Sequence, residues 1–299
     1  HNLLKKKMIS IIIPSFNNLE YLSLCIDSLQ KNSHYKNEIL VHINEGSDGT
    51  IEFIKQKKLK FTHSRINDGL CIGCNKISKL SSFKYILYSH DDMYFLPKWD
   101  LFLIEEAKSL KTNKFYLSSI MINGDPNLNG HLNLNAGDTV DNFDENFLLQ
   151  NYQKLNHKDF EGSTWAPHLI HKSLWNKVGG FSEEFSPGMG SDPDLNMKLW
   201  NSGVRIFKCI AKSRVYHFGS VTIHKNQKKF FKKNQGSLAN KIFLLKWGIS
   251  IKFFKKHYLK SHLFQNQILE NPKKNISYFL DLIKDKISYF YYKIFSSIN

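Results

Sequence analysis

The sequence contains no uninterrupted run of 18 or more apolar residues within its 299 positions. A helix that crosses a bilayer needs about 20 such residues, so no membrane-spanning segment is predicted. The lysines at positions 5–7 are followed by only a short apolar stretch, which ends at Pro14 without a small-residue cleavage site. This pattern does not fit a signal peptide, and we therefore expect a cytoplasmic protein.

Cysteine is also scarce, with four residues in the chain. Cys71 and Cys74 have the separation of a redox motif or of half a zinc site. No second close pair completes a set of four zinc ligands, so a helix of small residues is the favoured interpretation. So few cysteines fit a reducing compartment.

Arginine is absent from residues 225–299, which hold 16 lysines, three acids and a net charge of +13. Residues 1–224 carry a net charge of only +3. This division predicts a catalytic domain over 1–224 and a basic helical extension over 225–299, which we call the tail. Aromatic residues are interleaved with the tail lysines. That composition suits either an anionic membrane surface or an amphipathic helical domain packed on the catalytic core.

Apolar stretches alternate with helical patterns four times in about the first hundred residues. The predicted strands cover 9–13, 38–43, about 60–64, and the run that begins at Tyr85. The first of them should end at Pro14, and it is apolar throughout, as in a central strand buried on both faces. This alternation predicts an α/β fold with a doubly wound, mainly parallel sheet.

Polar side chains collect in the turns after these strands: Ser15 and Asn17, Asn44 and Glu45, Asn67, and Asp91 with Asp92. The turns after parallel strands lie at one edge of the sheet, where open α/β folds bind ligands. Two adjacent carboxylates repel each other unless a proton or a cation intervenes. Mg²⁺ or Mn²⁺ bound to a diphosphate would relieve Asp91 and Asp92, although a simple turn before Pro97 explains the pair equally well.

Several motifs follow one another in order: Pro14-Ser15-Phe16-Asn17, Glu45-Gly46-Ser47-Asp48-Gly49-Thr50, Asn67 and Gly69 with Asn75, Asp91-Asp92, and Pro97 with Trp99. Together they resemble the signatures of family 2 glycosyltransferases, up to about residue 220. The resemblance implies the GT-A fold, a nucleotide-sugar donor, and Mn²⁺ or Mg²⁺ as cofactor.

The resemblance also implies roles for single residues. The nucleotide-binding set would be Pro14, Ser15, Asn17, Glu45, Asn67, Asn75 and Asp91. Asp92 would be the principal metal ligand, with Asp91 as its companion. A residue of the pair Ser89-His90 stands where the family has the first acid of its metal motif. His217 corresponds to a histidine that ligates the metal in many relatives, and imidazole adds no negative charge to the site.

A second chemical centre lies at Ser191-Asp192-Pro193-Asp194, where a helix is predicted to begin. The helix dipole stabilises an anion there, so Asp192 could simply serve the helix end. The family resemblance places a general base at this point, after a stretch like Gly179-Gly180-Phe181. It makes Asp192 the candidate base and Asp194 its orienting neighbour on the acceptor side.

Other polar and aromatic residues are candidates for the acceptor side. Trp165 could stack on a sugar ring, and a core tryptophan is an equal alternative. Asn129, His131 and Asn133 fall in a long predicted loop, residues 123–142, for which simple solvation is favoured. His168 and His171, three apart, are spaced as neighbours on one helix face, but no third metal ligand is evident beside them.

Together, these expectations predict an inverting, metal-dependent glycosyltransferase. It would move a sugar from a nucleotide diphosphate sugar, with UDP favoured, to a hydroxyl of a glycan or lipid-linked acceptor in surface polysaccharide or lipopolysaccharide synthesis. A peripheral position on the inner face of a membrane would suit the tail. The alternatives are a sugar nucleotidyltransferase and a nucleic-acid-binding protein. The tail's lack of arginine disfavours nucleic acid, because guanidinium groups bind phosphate in a bidentate manner.

Overall fold

The computed structural model describes residues 7–126, 130–219 and 235–295. The strands in these ranges are β1 (Ile9–Phe16), β2 (Glu38–Asn44), β3 (Lys60–Ser64), β4 (Tyr85–Tyr88), β5 (Met93–Phe95), β6 (Tyr116–Asn123), β7 (Leu132–Asn133), β8 (Phe160–Glu161), β9 (His168–His171) and β10 (Phe207–His217). The helices are α1 (Leu19–Asn32), α2 (Thr50–Gln56), α3 (Gly69–Ser78), α4 (Trp99–Ser109), α5 (Glu145–Asn151), α6 (Lys172–Val178), α7 (Ser191–Asn201), α8 (Gln235–Trp247), α9 (Ile251–Phe253) and α10 (Ile276–Phe295).

All the strands belong to one sheet, with the main order β3-β2-β1-β4-β9-β6-β10-β5. Strands β1 to β4 are parallel, as predicted. Strand β9 runs antiparallel between β4 and β6, so β6 and its parallel neighbour β10 point in the same direction as β4. The carboxyl ends of these six strands therefore lie at one edge, which we call the C-terminal edge. The prediction of a mainly parallel sheet is confirmed.

The first strand does not end at Pro14 as predicted but continues to Phe16. Strand β4 reaches only to Tyr88, opposite Ile12, so Pro14 has a strand neighbour on one side only, at β2. A proline is tolerated in such a position because its missing amide hydrogen leaves no ladder bond unmade.

The predicted helix of small residues around Cys71 and Cys74 is confirmed as α3, and both thiols are buried. This helix packs on β1 and β2. Gly73 allows the close approach, because a Cβ atom there would lie 2.5 Å from Cδ2 of His42. α3 is thereby fixed against the centre of the sheet.

His168 and His171 lie on strand β9 rather than on a helix, so the prediction of a shared helix face was wrong. Side chains three apart on a strand point to opposite faces, which prevents the two imidazoles from sharing a metal ion. His168 is buried, and its Nδ1 lies 3.0 Å from the Tyr116 hydroxyl. His171 is half-buried and caps α6 instead.

The long connection over residues 123–142 is present, but part of it packs on the sheet. Strand β7 pairs with the end of β6, and the side chains of Leu132 and Ala136 are buried. Asn129 lies outside the described residues.

The predicted boundary between residues 224 and 225 lies in 220–234, outside the described part of the chain, as do the first lysines and aromatic residues of the tail. Beyond that point the tail packs on the catalytic core. Phe243, Phe253, Phe254 and Leu259 are buried in the same hydrophobic cluster as β1 and β4. Within the described ranges, no helix has both the length and the apolar character needed to cross a bilayer.

One buried carboxylate ties the tail to α7. Asp194 is fully buried, and its Oδ1 accepts a hydrogen bond from Nε1 of Trp247 at 2.8 Å. The same oxygen lies 2.9 Å from Nζ of Lys246, and Ser182 donates to the other oxygen. Glu184 also pairs with Lys246, at 2.7 Å, but is itself half exposed.

We expect Asp194→Ala to lower the free energy of unfolding by about 1 to 3 kcal/mol, because it leaves the Trp247 N–H and the Lys246 ammonium without their buried acceptor. Glu184→Ala is the matched control, with a loss of about 0 to 1 kcal/mol for an exposed pair. Urea unfolding of both variants measures the difference. Equal losses would contradict the proposed role of Asp194 as the anchor of the tail.

Candidate active site

Asn17 links the turn after β1 to the turn after β2 at the C-terminal edge. Its Oδ1 accepts hydrogen bonds from the amides of Gly46 and Ser47, each at 3.0 Å. Ser47 in turn donates to the carboxylate of Glu45 at 3.1 Å. Asn17 and Glu45 both have positive φ angles, 45° and 62°, so both turns are tight. The predicted nucleotide-binding residues Asn17 and Glu45 therefore lie side by side.

Asn44 and Asn67 stabilise the next part of the same edge. The Asn44 carboxamide accepts a hydrogen bond from the Asp68 amide at 3.0 Å, and the Asn67 carboxamide accepts one from the Gly69 amide at 2.9 Å. Asn67 is thus at the edge as predicted, in the turn that leads into α3.

Asn75, which is also predicted to bind the nucleotide, lies on α3 and has hydrogen-bond partners within the protein. Its Oδ1 accepts from the amide of Phe181 at 3.0 Å, and its Nδ2 donates to the carbonyl of the same residue at 2.8 Å. Both ends of the carboxamide hold the segment that precedes α7. Gly69 approaches this segment as well, since a Cβ there would lie 2.7 Å from Cα of Pro187. The turn after β3 and the segment that leads to Asp192 are thereby packed together.

Asp91 and Asp92 are both buried, with 6% and 4% of their surface exposed. Asp91 accepts a hydrogen bond from the Ser15 hydroxyl at 2.7 Å, which ties the ends of β1 and β4 together. Burial and the neighbouring charge of Asp92 raise the pKa of Asp91 to about 7. Keeping both acids ionised here is therefore costly unless a proton or a cation compensates the charge.

Asp92 lies between two imidazoles. Its Oδ1 is 3.3 Å from Nε2 of His217 and 3.9 Å from Nδ1 of His90. The potential ligand atoms of the three residues all lie within 4.8 Å of one another. His217 reaches this point because β10 ends at the C-terminal edge and pairs with β5, directly after Asp92. The structure therefore brings together Asp92 and His217, as the resemblance implied.

The third member of this cluster is His90, whereas the resemblance had suggested Asp91. The Asp91 carboxylate turns to Ser15 instead. The sequence signal for His90 was its place in the Ser89-His90 pair, where the family has an acid. Burial lowers the pKa of His90 to about 4, so its ring is neutral at pH 7 and able to act as a ligand.

The donor set of the cluster fits a divalent transition metal. Burial lowers the pKa of His217, but the Asp92 carboxylate outweighs this, and the net shift is upward. A cation beside Asp92 would compensate the same negative charge. Two imidazole nitrogens and one carboxylate oxygen suit Mn²⁺ better than Mg²⁺, which prefers oxygen ligands.

Asp192 lies in the first turn of α7, and its Oδ1 is buried with no hydrogen-bond partner among the described residues. Burial raises the pKa of Asp192 to about 7, and the nearby Lys255 of the tail opposes that rise. A carboxylate with this pKa can accept a proton near neutral pH. Burial also lowers the pKa of Lys255, so the tail contributes a partly desolvated cation beside Asp192.

Tyr88 connects the two acidic centres. Its ring centroid lies 5.4 Å from that of His90 and 5.0 Å from that of Phe181. Burial raises the pKa of Tyr88 well above its ordinary value, and the charges of Asp192 and Asp92 add to the shift. Both carboxylates therefore act on the same buried hydroxyl, which has no hydrogen-bond partner among the described residues. Asp92 and Asp192 belong to one region of the molecule.

Asp194 and Trp165, which are predicted for the acceptor side, make contacts within the protein. Both oxygens of Asp194 are occupied, one by Trp247 and Lys246 of the tail and the other by Ser182. Trp165 is half-buried, its Nε1 donates to the carbonyl of Ser119 at 3.1 Å, and its ring lies beside Phe160 and His131. These contacts favour packing roles for Asp194 and Trp165.

Comparison with known proteins gives a family and a fold. The model for "Glycosyl transferase family 2" matches residues 10–168. An "Uncharacterized glycosyltransferase" of Rickettsia bellii (strain RML369-C) is 31% identical over 122 residues, which are 39% of this chain and 17% of that protein. This chain therefore matches only a small part of that relative's length.

Two crystal structures of S. aureus TarS 1-349 are similar to this chain. One has a TM-score of 0.50 at 15% identity and covers 79% of this chain and 69% of that chain. The other, in complex with UDP-GlcNAc, has a TM-score of 0.52 at 15% identity and covers 80% of this chain and 66% of that chain. At this identity the likeness concerns the fold, and it confirms the expected GT-A architecture with a helical C-terminal part.

The raised pKa of Asp192 predicts a pH-dependent stability. The folded state keeps a proton up to a pH of about 7, whereas the unfolded chain releases it near pH 4. Stability should therefore fall as the pH rises through this window. We expect Asp192→Asn to raise the free energy of unfolding by about 1 to 3 kcal/mol at pH 8, and by less at pH 5. Urea unfolding at both pH values measures this. Asp27→Asn, which changes an exposed carboxylate on α1, is the control, and a pH-independent effect of Asp192→Asn would contradict the assignment.

Proposed function

The chain belongs to glycosyl transferase family 2, and from this premise we propose that it transfers a sugar from a nucleotide diphosphate sugar to an acceptor hydroxyl with inversion at the anomeric carbon. The observation that carries the proposal is that the ring of Tyr88 lies 5.4 Å from that of His90 of the Asp92 cluster and 5.0 Å from that of Phe181, in the segment that leads to Asp192, and that the charges of both Asp92 and Asp192 act on it. This shared neighbour supports the proposal that a metal-binding group and a proton acceptor act in one reaction.

The donor's nucleotide would bind along the C-terminal edge, over the turns that hold Asn17, Glu45 and Asn67. The Asn17 hydrogen bonds fix the first two turns, so the edge is organised before a ligand arrives. A uridine nucleotide is our proposal for the base, supported by the TarS structure in complex with UDP-GlcNAc. Asp91, held by Ser15, would lie toward the ribose and phosphates.

Asp92, His217 and His90 are the residues that would hold a divalent cation, with Mn²⁺ proposed from the donor set. These ligands would hold the cation where it would neutralise charge on the departing diphosphate. The protein's own part is to keep His90 neutral through burial and to hold Asp92 next to His217. Both effects keep the imidazole nitrogens and the carboxylate oxygen available to bind a metal ion.

Asp192 would act as the general base. Its buried Oδ1 would take the proton of the acceptor hydroxyl while that oxygen attacks the anomeric carbon from the face opposite the diphosphate. The C–O bond to the diphosphate breaks as the new one forms, which inverts the configuration. The Tyr88 hydroxyl and Nε2 of His168 are also buried without partners among the described residues. Sugar hydroxyls or ordered water would satisfy these groups.

The acceptor class that we propose is a glycan or lipid-linked hydroxyl in surface polysaccharide or lipopolysaccharide synthesis. We also keep the division of the chain near residues 224 and 225 as a proposal. The tail would then complete the catalytic unit, because its Lys255 acts on Asp192 and its Trp247 holds Asp194.

A panel of nucleotide sugars, tested with Mn²⁺, addresses the reaction class. We expect nucleoside diphosphate as the released product with one donor, and Asp92→Asn should abolish both Mn²⁺ binding and turnover. His34→Ala, a change to an exposed histidine on the surface, is the control and should leave both unchanged. Release of pyrophosphate would instead identify a nucleotidyltransferase. Full turnover in EDTA would contradict the metal proposal.

The base assignment predicts that Asp192→Asn lowers kcat by about 10² to 10⁴ while donor affinity stays within about twofold. In the wild type, kcat should fall about tenfold per pH unit below about 7, because the base must be ionised. Steady-state kinetics and calorimetric titration with the donor measure the two effects. Asp27→Asn serves as the control, and wild-type turnover by Asp192→Asn would overturn the assignment.

A further inference from the structure

Helix α10, at the end of the described tail, has an exposed apolar face. Six large side chains on it have 55% to 80% of their surface exposed: Ile276, Leu280, Ile283, Ile287, Phe290 and Ile294. Their spacing alternates between four and three residues, which places all of them on one side of an α-helix. We call this face the apolar stripe. It runs along the whole helix.

The orientation of α10 is fixed by its opposite face. Tyr278 and Leu282 pack against the hydrophobic cluster that the tail shares with the catalytic core, and the ring of Tyr278 lies 5.0 Å from that of Phe253 in the tail. Asp281 pairs with Lys256 at 2.6 Å, and Asp285 accepts a hydrogen bond from the amide of Ser250 at 2.6 Å. The apolar stripe therefore faces outward because the other side of the helix is held by packing, a salt bridge and a hydrogen bond.

Lysines flank the stripe on both sides. Helical geometry places Lys284 along one border and Lys286 with Lys293 along the other. The two acids of the helix, Asp281 and Asp285, are on the packed side and already have partners. The outward surface of α10 is therefore an apolar strip with basic borders, in a tail whose net charge is +13.

A second copy of the chain is the main competing occupant, because the spacing of the stripe also matches the seam of a coiled coil. The positions beside such a seam are those of Lys284, Lys286 and Lys293. Pairing two copies would place these lysines beside the seam with no acid at the flanking positions, so no interhelical salt bridge would support the dimer. An anionic surface is complementary to the same three lysines.

We propose that α10 binds a bilayer that contains anionic lipids. The apolar stripe lies at the boundary between headgroups and acyl chains, and the flanking lysines contact lipid phosphates. Because α10 packs on α8 and α8 carries the Trp247 contact to Asp194, binding would place the catalytic domain beside the membrane. This interaction needs neither donor nor acceptor, so it stands apart from the proposed transferase activity.

Co-sedimentation of the whole chain with vesicles tests the proposal. We expect binding to vesicles of phosphatidylcholine with phosphatidylglycerol, and at least about tenfold weaker binding to phosphatidylcholine alone. Binding should weaken as salt is raised. Ile283→Glu with Ile287→Glu should abolish it, since both residues are at the centre of the stripe. Lys284→Glu should reduce affinity at least about fivefold.

Lys108→Glu with Lys111→Glu, on the surface of the catalytic domain, is the matched control and should leave vesicle binding unchanged. Circular dichroism and thermal unfolding show whether each variant is folded, and the changed residues are exposed, so folding should persist. Sedimentation velocity without lipid reports on self-association. Three results would overturn the proposal: no binding to anionic vesicles, equal loss of binding in the control, or a dimer that Ile287→Glu converts to a monomer without any vesicle binding.

Discussion

Three carboxyl groups, those of Asp91, Asp92 and Asp192, are held away from water near one edge of the sheet. Burial disfavours their charged forms, and two of them have pKa values raised to about 7. A fold that needed only stability would place neutral or apolar groups there. Under the proposed function, a cation at Asp92 and the proton of an acceptor hydroxyl at Asp192 would compensate these charges.

The rest of the structure serves to hold those carboxylates in place. The parallel direction of β4 and β10 brings His217 to Asp92 from more than a hundred residues away. Helix α3 positions the segment that leads to Asp192, because Asn75 is hydrogen-bonded to Phe181 and Gly69 packs against Pro187. The tail adds a third support through Trp247. Trp247 contacts Asp194, which is two residues after the candidate base, Asp192.

The sequence predicted the parallel sheet because the period of apolar residues reports local backbone geometry. It also predicted the edge position of Asn17, Glu45 and Asn67, since each lies in the turn that follows a strand. It was wrong where a short pattern fits two structures. His168 and His171 have helical spacing, yet strand pairing with β4 and β6 decides their conformation. Asn75 matched a family motif and its nucleotide-binding role stays a prediction, while its hydrogen bonds to Phe181 are a structural feature that no local pattern contains.

By itself, the sequence determined the order of the first four strands and the helices between them, the separation of nearly neutral residues 1–224 from the basic tail, and the chemical types of the candidate ligands and base. Only the tertiary structure decided that His90, rather than Asp91, joins Asp92 and His217, and that Asp194 holds the tail. It also decided which part of the tail packs inward and which face of α10 stays exposed. The physical reason is that propensity and periodicity act over a few residues, whereas ion pairing, desolvation and burial depend on groups that the folded chain brings together from distant positions.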